Sequence, residues 1–167
     1  MVGLVSESRQ QLSNPIDLLE ELVLANDWAF DRASESEMVV EIKGRWCDYH
    51  LCFVWHQEVA SMYASCHLDV KTPTARRKQV AELIAAANER LWLGHFDLAS
   101  DDGMVSFRHT LPLRGTGGIM PEQLEDIVEA AVMESERVYP ALQLVIWGGK
   151  AVEEAMQAAL MDTVGEA

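Results

Sequence analysis

The feature that most constrains the fold is an alternation of apolar and polar residues between positions 28 and 70. Successive side chains of a β-strand point to opposite faces, so this period of two predicts strands that are buried on one face only. The alternation divides into four extended segments, which cover residues 28–32, 37–43, 46–56 and 59–70. Together they predict an antiparallel sheet with one apolar and one polar face.

Short turns between these segments predict how the strands pair. The residue pairs at 44–45 and 57–58 suit two-residue hairpin loops, which would fix the register of the strands that they join. A slip of one residue would turn every apolar side chain to the wrong face, so agreement of the faces supports the register. The predicted opposite pairs are Ile42–Cys47, Val40–Tyr49, Phe53–Met62 and Leu51–Ala64.

A second hairpin is predicted further along the chain. Asp102-Gly103 is a favoured turn pair, and it would join strands at 96–100 and 104–113. This turn places Asp97 opposite Arg108, and we expect the two side chains to form an ion pair across the hairpin. It also places His109 opposite a phenylalanine, as a partly buried histidine.

Helical periodicity fills the rest of the chain. Asn14 followed by Pro15 is a helix start, since an amide side chain can cap and proline suits the first turn. Further helices are predicted from Thr72-Pro73 to about 92, from Pro121 to 148–149 with an interruption at Pro140, and over about 152–161. The fold class is therefore α+β, a twisted antiparallel sheet with helices packed on one face.

The segment 88–98 (NERLWLGHFDL) joins a helix to a strand. Gly94 suits the corner because it accepts backbone conformations that other residues avoid. Asn88 is expected to satisfy backbone groups beside Gly94. The helix before the corner has a second apolar stripe, which ends at Trp92 and predicts burial on more than one side.

Bulk properties narrow the class of protein. A chain of 167 residues fits one domain, here 15–167 after a loose lead-in over 1–14. A net charge of −14 argues against nucleic acid, because phosphate binding needs clustered Lys and Arg. Three cysteines, no signal peptide and no apolar run of about 20 residues predict a cytoplasmic chain without a membrane segment.

The polar face of the sheet carries the groups that could do chemistry. In the predicted register Glu41 lies opposite Asp48, Asp48 opposite His67, and His50 opposite Ser65. Two carboxylates and two imidazoles, with Cys52 and Tyr63 beyond them, could form a metal or acid–base site. The same residues could equally be a solvent-facing surface whose side chains pair across strands.

Other candidates point to structure or to contacts. His95 could be a base at the corner or could fix the corner through a hydrogen bond, and the absence of a nearby nucleophile favours the second. Trp46 falls on the polar face and is the best interface candidate among the tryptophans. Cys47 and Cys66 fall on the apolar face and should be inert. The loop 114–119 (RGTGGI) lacks the Lys-Ser/Thr of a phosphate-binding loop, and its Gly115–Gly118 part favours a turn.

Three longer segments resemble those of a known family: PTARRKQVAELIAAANERLWLGHFDL, FRHTLPL and ESERVYPALQLVIWGGKAVEEAM. Over about residues 15–165 the chain resembles the YbjN family, bacterial proteins described as sensory transduction regulators. The resemblance implies a fold similar to that of type III secretion chaperones, commonly dimeric. It carries no catalytic motif that could be transferred to residues of this chain.

We therefore expect a non-catalytic regulatory or chaperone-like module that binds another protein and forms a homodimer, with no cofactor or metal. The two-striped helix with Asn88 and Trp92, the corner with His95, and Trp46 are the candidate contact residues. The alternative is an enzyme or a small-ligand or metal-binding protein that uses Glu41, Asp48, His50 and His67.

Overall fold

The computed structural model describes residues 12–164, and the side chains of 12–161. Most of the predicted lead-in, residues 1–11, lies outside the described part. The elements in chain order are α1 (Pro15–Ala25), β1 (Ala29–Asp31), β2 (Glu37–Lys43), β3 (Asp48–His56), β4 (Ser61–Lys71), α2 (Arg77–Asn88), β5 (His95–Leu98), β6 (Met104–Pro112), α3 (Pro121–Ile146) and α4 (Val152–Val164).

The six strands form one sheet with the order β1-β2-β3-β4-β6-β5, and every neighbouring pair is antiparallel. The chain leaves the sheet after β4, passes through α2 and returns at the edge as β5. The hairpin that follows then places β6 between β4 and β5. The predicted α+β class, with an antiparallel sheet and packed helices, is confirmed.

The apolar face of the sheet is buried beneath the helices, with α1 and α3 in direct contact with the strands. Leu51 and Phe53 of β3 are at most 1% exposed, as the alternation predicts for one face. The alternate residues Cys52 and Val54 are half-buried on the opposite side, which we call the open face. Burial of this one face supplies the core, because each large apolar side chain removed from water contributes about 1.5–3 kcal/mol.

The three hairpins whose turns the sequence predicted have longer loops than expected. Each has a loop of four residues, at 44–47, 57–60 and 100–103. Every predicted pairing is therefore wrong by two positions, although a shift of two leaves each side chain on its predicted face. The observed opposite pairs are Val40–Leu51, Ile42–Tyr49, Leu51–Cys66, Phe53–Ala64 and Phe96–Phe107.

The helix starts follow local chemistry. Asn14 Oδ1 accepts a hydrogen bond from the Ile16 amide at 3.0 Å, and Pro15 is the first helical residue of α1, as predicted. Pro121 begins α3, which continues through Pro140 to Ile146. α2 is shorter than predicted, because a single 3-10 turn precedes it and the helix ends at Asn88.

Within the described residues, no helix is both long and apolar enough to cross a membrane.

Candidate functional site

The corner between α2 and β5 is fixed by Asn88. Its side-chain oxygen accepts a hydrogen bond from the Phe96 amide at 2.7 Å, and its Nδ2 donates to the Phe96 carbonyl at 3.1 Å. Gly94 turns the chain with φ +69°, and a Cβ there would overlap the Phe107 ring. The amide thus holds the first residues of β5 against the end of α2, two residues beyond the glycine that we expected it to serve.

His95 does not fix this corner. Its imidazole is exposed on the open face at the start of β5, where it lies opposite Arg108. Among residues 12–164 it forms no hydrogen bond. The structural role that the sequence suggested for His95 is therefore wrong, and Asn88 alone supplies that role.

The second stripe of α2 is uncovered. Ala81 and Ala85 are exposed, and Trp92, which follows the helix, is 70% exposed. The sequence predicted that another helix or another subunit covers this stripe, and in the described chain the buried residues of α2, among them Leu83 and Ala87, lie on its other side. We call the surface formed by Ala81, Ala85 and Trp92 the α2 face.

The polar residues of the open face meet in a different arrangement from the predicted one. Glu41 lies opposite His50, and His50 lies opposite His67, so these three form a row across β2, β3 and β4. His50 Nε2 is 3.5 Å from Glu41 Oε2, and both side chains are about half exposed. Asp48, the first residue of β3, lies opposite Lys43 and outside that row.

This row has the geometry of cross-strand pairing. Neighbouring strands lie about 4.8 Å apart, so the two ends of the row, Glu41 and His67, are separated by two strand spacings. Within the described part of the chain, no group of three or more His, Cys, Asp or Glu side chains could hold a metal ion. Of the two interpretations of these residues, the geometry favours a solvent-facing surface.

Arg108 is the most constrained charge on the open face. Its Nε donates to the Tyr63 hydroxyl at 2.6 Å, its Nη1 lies 2.7 Å from Asp97 Oδ2, and the guanidinium stacks over the Tyr63 ring. The Asp97 carboxylate is the main cause that raises the pKa of Arg108. The expected Asp97–Arg108 ion pair is therefore present, but it is diagonal, since Asp97 lies opposite Ser106.

Trp46 lies on the helix side of the sheet. The four-residue loop between β2 and β3 turns its ring onto Tyr139 of α3, with the ring planes 10° apart and the centroids 6.5 Å apart. The Arg45 guanidinium stacks on the Trp46 ring, with its Cζ 4.9 Å from the ring centroid. The predicted position on the polar face is wrong, because the prediction counted Trp46 as a strand residue.

The cysteines are suppressed as nucleophiles. Burial raises the pKa of Cys66 to about 12, even though the Ser135 hydroxyl donates to its sulfur at 3.9 Å. Burial is also the main cause that raises the pKa of Cys47 and of Cys52. Since the thiolate is the reactive form, a raised pKa favours an inert thiol.

The glycine-rich loop satisfies its own polar groups. The Thr116 hydroxyl donates to the Leu113 carbonyl at 2.7 Å and accepts from the Gly118 amide at 3.2 Å. At the start of α3, the Met120 amide donates to Gln123 Oε1 at 2.9 Å. These contacts favour the predicted turn over a phosphate cradle.

A cleft of about 310 Å³ lies between the end of β4 and the turn before β6. Arg77 lines it, and its Nη1 donates to the Ser100 carbonyl at 2.5 Å, so the guanidinium already binds the backbone of the turn. Asp101 and Asp102 form the opposite wall. The cleft begins at Lys71, the last residue of β4, and none of the residues that line it belongs to the Glu41–His67 row.

One feature of the helical layer escaped the sequence prediction. Glu134 of α3 is only 9% exposed, and both of its oxygens accept from Arg137 Nη1, at 3.0 and 2.9 Å. The spacing could have revealed it, since Glu134 lies three residues after Ala131 and four before Val138, on the predicted apolar stripe of α3. A carboxylate in that stripe indicates a polar contact inside the helical layer.

Comparison with known proteins agrees with the fold and names a family. The chain is similar to the crystal structure of YbjN, a putative transcription regulator from E. coli, with a TM-score of 0.52 and 12% sequence identity over 74% of this chain and 87% of that one. No curated protein matches the chain. The model of the family described as YbjN, putative bacterial sensory transduction regulator, matches residues 15–144. The chain therefore belongs to the YbjN family.

Proposed function

We propose that this protein is a non-catalytic regulator of the bacterial cytoplasm, which acts by binding another protein and does so as a homodimer. The family description supports the regulatory part of this proposal. The alternative form of the same proposal, a chaperone-like module, rests on the similarity to type III secretion chaperones that the family resemblance implies.

The observation that carries the proposal is the uncovered α2 face. It is continuous along one helix and ends in Trp92, whose indole is 70% exposed. Tryptophan is enriched at the centres of protein interfaces, where its large ring is removed from water. Small residues such as Ala81 and Ala85 would let a second helix approach closely.

The cysteine and polar-face chemistry supports a binding role over catalysis. The raised pKa values of the thiols disfavour a cysteine nucleophile. The Glu41–His67 row is open to solvent and lies outside the cleft of about 310 Å³, whereas catalytic and ligand sites are usually concave. An open surface of mixed charge suits contact with another protein.

Light scattering on the purified chain tests the dimer. The native protein should have the mass of two 18.7 kDa chains at micromolar concentration. Trp92→Ser should weaken association by about tenfold or more, as expected when a central aromatic residue is truncated. Trp147→Ser is the matched control, because Trp147 is 64% exposed but lies at the end of α3. A native monomer of 18.7 kDa would contradict the homodimer.

A further inference from the structure

The charges at the two ends of α2 oppose its helix dipole. Arg77 and Lys78 begin the helix and Glu89 caps its end, whereas the first turn has no acidic residue and the last turn no basic one. Helix N-termini favour negative charge and C-termini favour positive charge, because the peptide dipoles align along the axis. Each end of α2 therefore carries charge of the sign that its own dipole disfavours.

Lys78 and Glu89 are also exposed and unpaired. Within residues 12–164 neither side chain has an ion-pair partner. Both lie on the side of the helix that carries Ala81 and Ala85, since steps of three or four residues return to the same side. The alanines of the α2 face are therefore flanked by an unpaired cation on one end and an unpaired anion on the other.

These positions are symmetric along the helix. Lys78 and Glu89 are equally distant in sequence from the junction of residues 83 and 84. The midpoint of Ala81 and Ala85 lies within half a residue of the same place. One two-fold axis through the middle of the α2 face would therefore bring Lys78 beside Glu89 of a second, antiparallel copy. The same axis would place the small alanines against each other, which lets the two helix axes approach closely.

Trp92 extends the match beyond the helix. It lies as far after the middle of α2 as Ala75 lies before it, and both residues are exposed. Ala75 belongs to the single 3-10 turn that precedes α2. In an antiparallel pair, the indole of one copy would cover this small residue of the other. The exposed ring thus finds a complementary surface on a second copy of its own chain.

We propose that the α2 face binds the α2 face of a second copy, antiparallel about a two-fold axis, with Lys78 of each copy paired to Glu89 of the other. The second copy then supplies the charge that each end of the helix lacks. Such a surface matches itself, as a symmetric dimer interface requires. Glu82, also exposed, follows Ala81 by one residue and so lies about 100° further round the helix, at the rim. The inference rests on the proposed homodimer and adds its interface and the residues that specify it.

Charge reversal in the full-length chain tests the pairing by sedimentation velocity. Lys78→Glu and Glu89→Lys should each raise the dissociation constant of the dimer about tenfold, because each turns two symmetric attractive pairs into repulsive ones. The variant with both reversals should return to within about twofold of the native constant, since the pair is restored with its charges exchanged. Arg114→Glu and Glu153→Lys are the matched controls, because both residues are exposed and lie outside α2. These controls should leave the constant unchanged.

The reversals should not weaken the fold of one chain. Lys78→Glu puts negative charge near the N-terminus of α2, and Glu89→Lys puts positive charge at its C-terminus, as the helix dipole favours. Thermal unfolding by circular dichroism, below the dissociation constant of the native dimer, should therefore give a melting temperature equal to or above that of the native chain. A lowered melting temperature would show that these charges serve the single chain and would overturn the pairing.

Three results of the sedimentation experiment would overturn the inference. Single reversals that match their controls, or a double variant that associates no better than the single ones, would exclude the antiparallel pairing. A native dimer that Trp92→Ser weakens but the reversals do not would keep the proposed dimer and require another arrangement of the α2 face. A native chain that sediments as a monomer would remove the homodimer itself and leave the α2 face to a different protein.

Discussion

The two faces of the sheet come from the same alternating sequence, yet they differ in how much of their structure that alternation determines. On the buried face, Leu51 and Phe53 lie under helices, and their burial depends only on which side of the strand they occupy. On the open face, the contacts of His50 and His67 depend on which residues lie opposite them on the neighbouring strands. A shift of two positions replaces the cross-strand neighbours on both faces, but it leaves each side chain on its own side, which is all that burial under the helices requires.

This difference shows which structural information is local. The side of a strand is encoded by the alternation itself, because the side-chain period is two. The cross-strand neighbour also depends on the loop length, and the three hairpin loops that were expected to have two residues have four. A shift of the strand register by two residues therefore changes a candidate site that is built from cross-strand neighbours, although it leaves the same residues in the core.

The largest difference between the faces is expected in the unfolding free energy that is lost when adjacent residues of β3 are truncated to alanine. Phe53→Ala removes a fully buried ring and should lower the free energy of unfolding by about 3–5 kcal/mol. Val54→Ala, on the half-buried open face, should cost about 1 kcal/mol. Urea unfolding of both variants measures the difference, and equal losses would contradict the assignment of the faces.

The register of the open face can be tested with a native cysteine. Cys52 lies opposite Ser65, so Ser65→Cys should form a disulfide with it on oxidation and stabilise the chain by about 3 kcal/mol. In the two-residue-loop register Cys52 would face Tyr63 instead. Tyr63→Cys should stay unbridged, because diagonal neighbours lie about 7–8 Å apart. Mass spectrometry under denaturing, non-reducing conditions detects the disulfide. A disulfide in Tyr63→Cys but not in Ser65→Cys would indicate two-residue loops and contradict the observed register.

A smaller effect is expected where the buried face meets the corner. Gly94→Ala would put a non-glycine residue at φ +69° with its Cβ 2.9 Å from the Arg108 carbonyl and in overlap with Phe107. The loss should be about 2–3 kcal/mol from backbone strain and overpacking. Gly117→Ala is the control, since a Cβ there meets nothing within 4 Å. Thermal unfolding compares the two, and a neutral Gly94→Ala would remove the need for glycine at the corner.

The smallest effect concerns His109, the histidine on the buried face. Burial lowers its pKa from 6.5, and the nearby His95 lowers it further. The unfolded chain therefore takes up this proton first as the pH falls, so His109 reduces stability below about pH 6.5. His109→Gln should make the stability loss between about pH 8 and about pH 5 smaller, while Thr110→Gln on the open face serves as the control for substitution on β6. An unchanged pH dependence would show that His109 titrates alike in both states.

Much of the helical layer could be predicted from the sequence. The starts at Asn14-Pro15 and Pro121 depend on capping and proline geometry within a few residues, and both are present. The role of Asn88 at the corner was also accessible, because an amide beside a glycine turn has few other partners than backbone groups. These features are local, and the sequence determines them without the rest of the fold.

Features that depend on distant residues were predicted less well. Trp46 turns to the helix side because its loop has four residues and Tyr139 of α3, far along the chain, receives its ring. The stripe that ends at Trp92 stays exposed because no other element of the described chain covers it. An apolar pattern predicts that a surface can be buried, but it does not specify what covers it.

The central claim is that this protein acts by binding another protein, and affinity capture from the source cell's lysate tests it most directly. The native chain and Trp147→Ser should each enrich one protein in near-equal amount to the bait, by quantitative mass spectrometry. Trp92→Ser should enrich less of it if the α2 face contributes to the assembly that binds. Recovery of the bait alone, from native and variant chains, would contradict the claim.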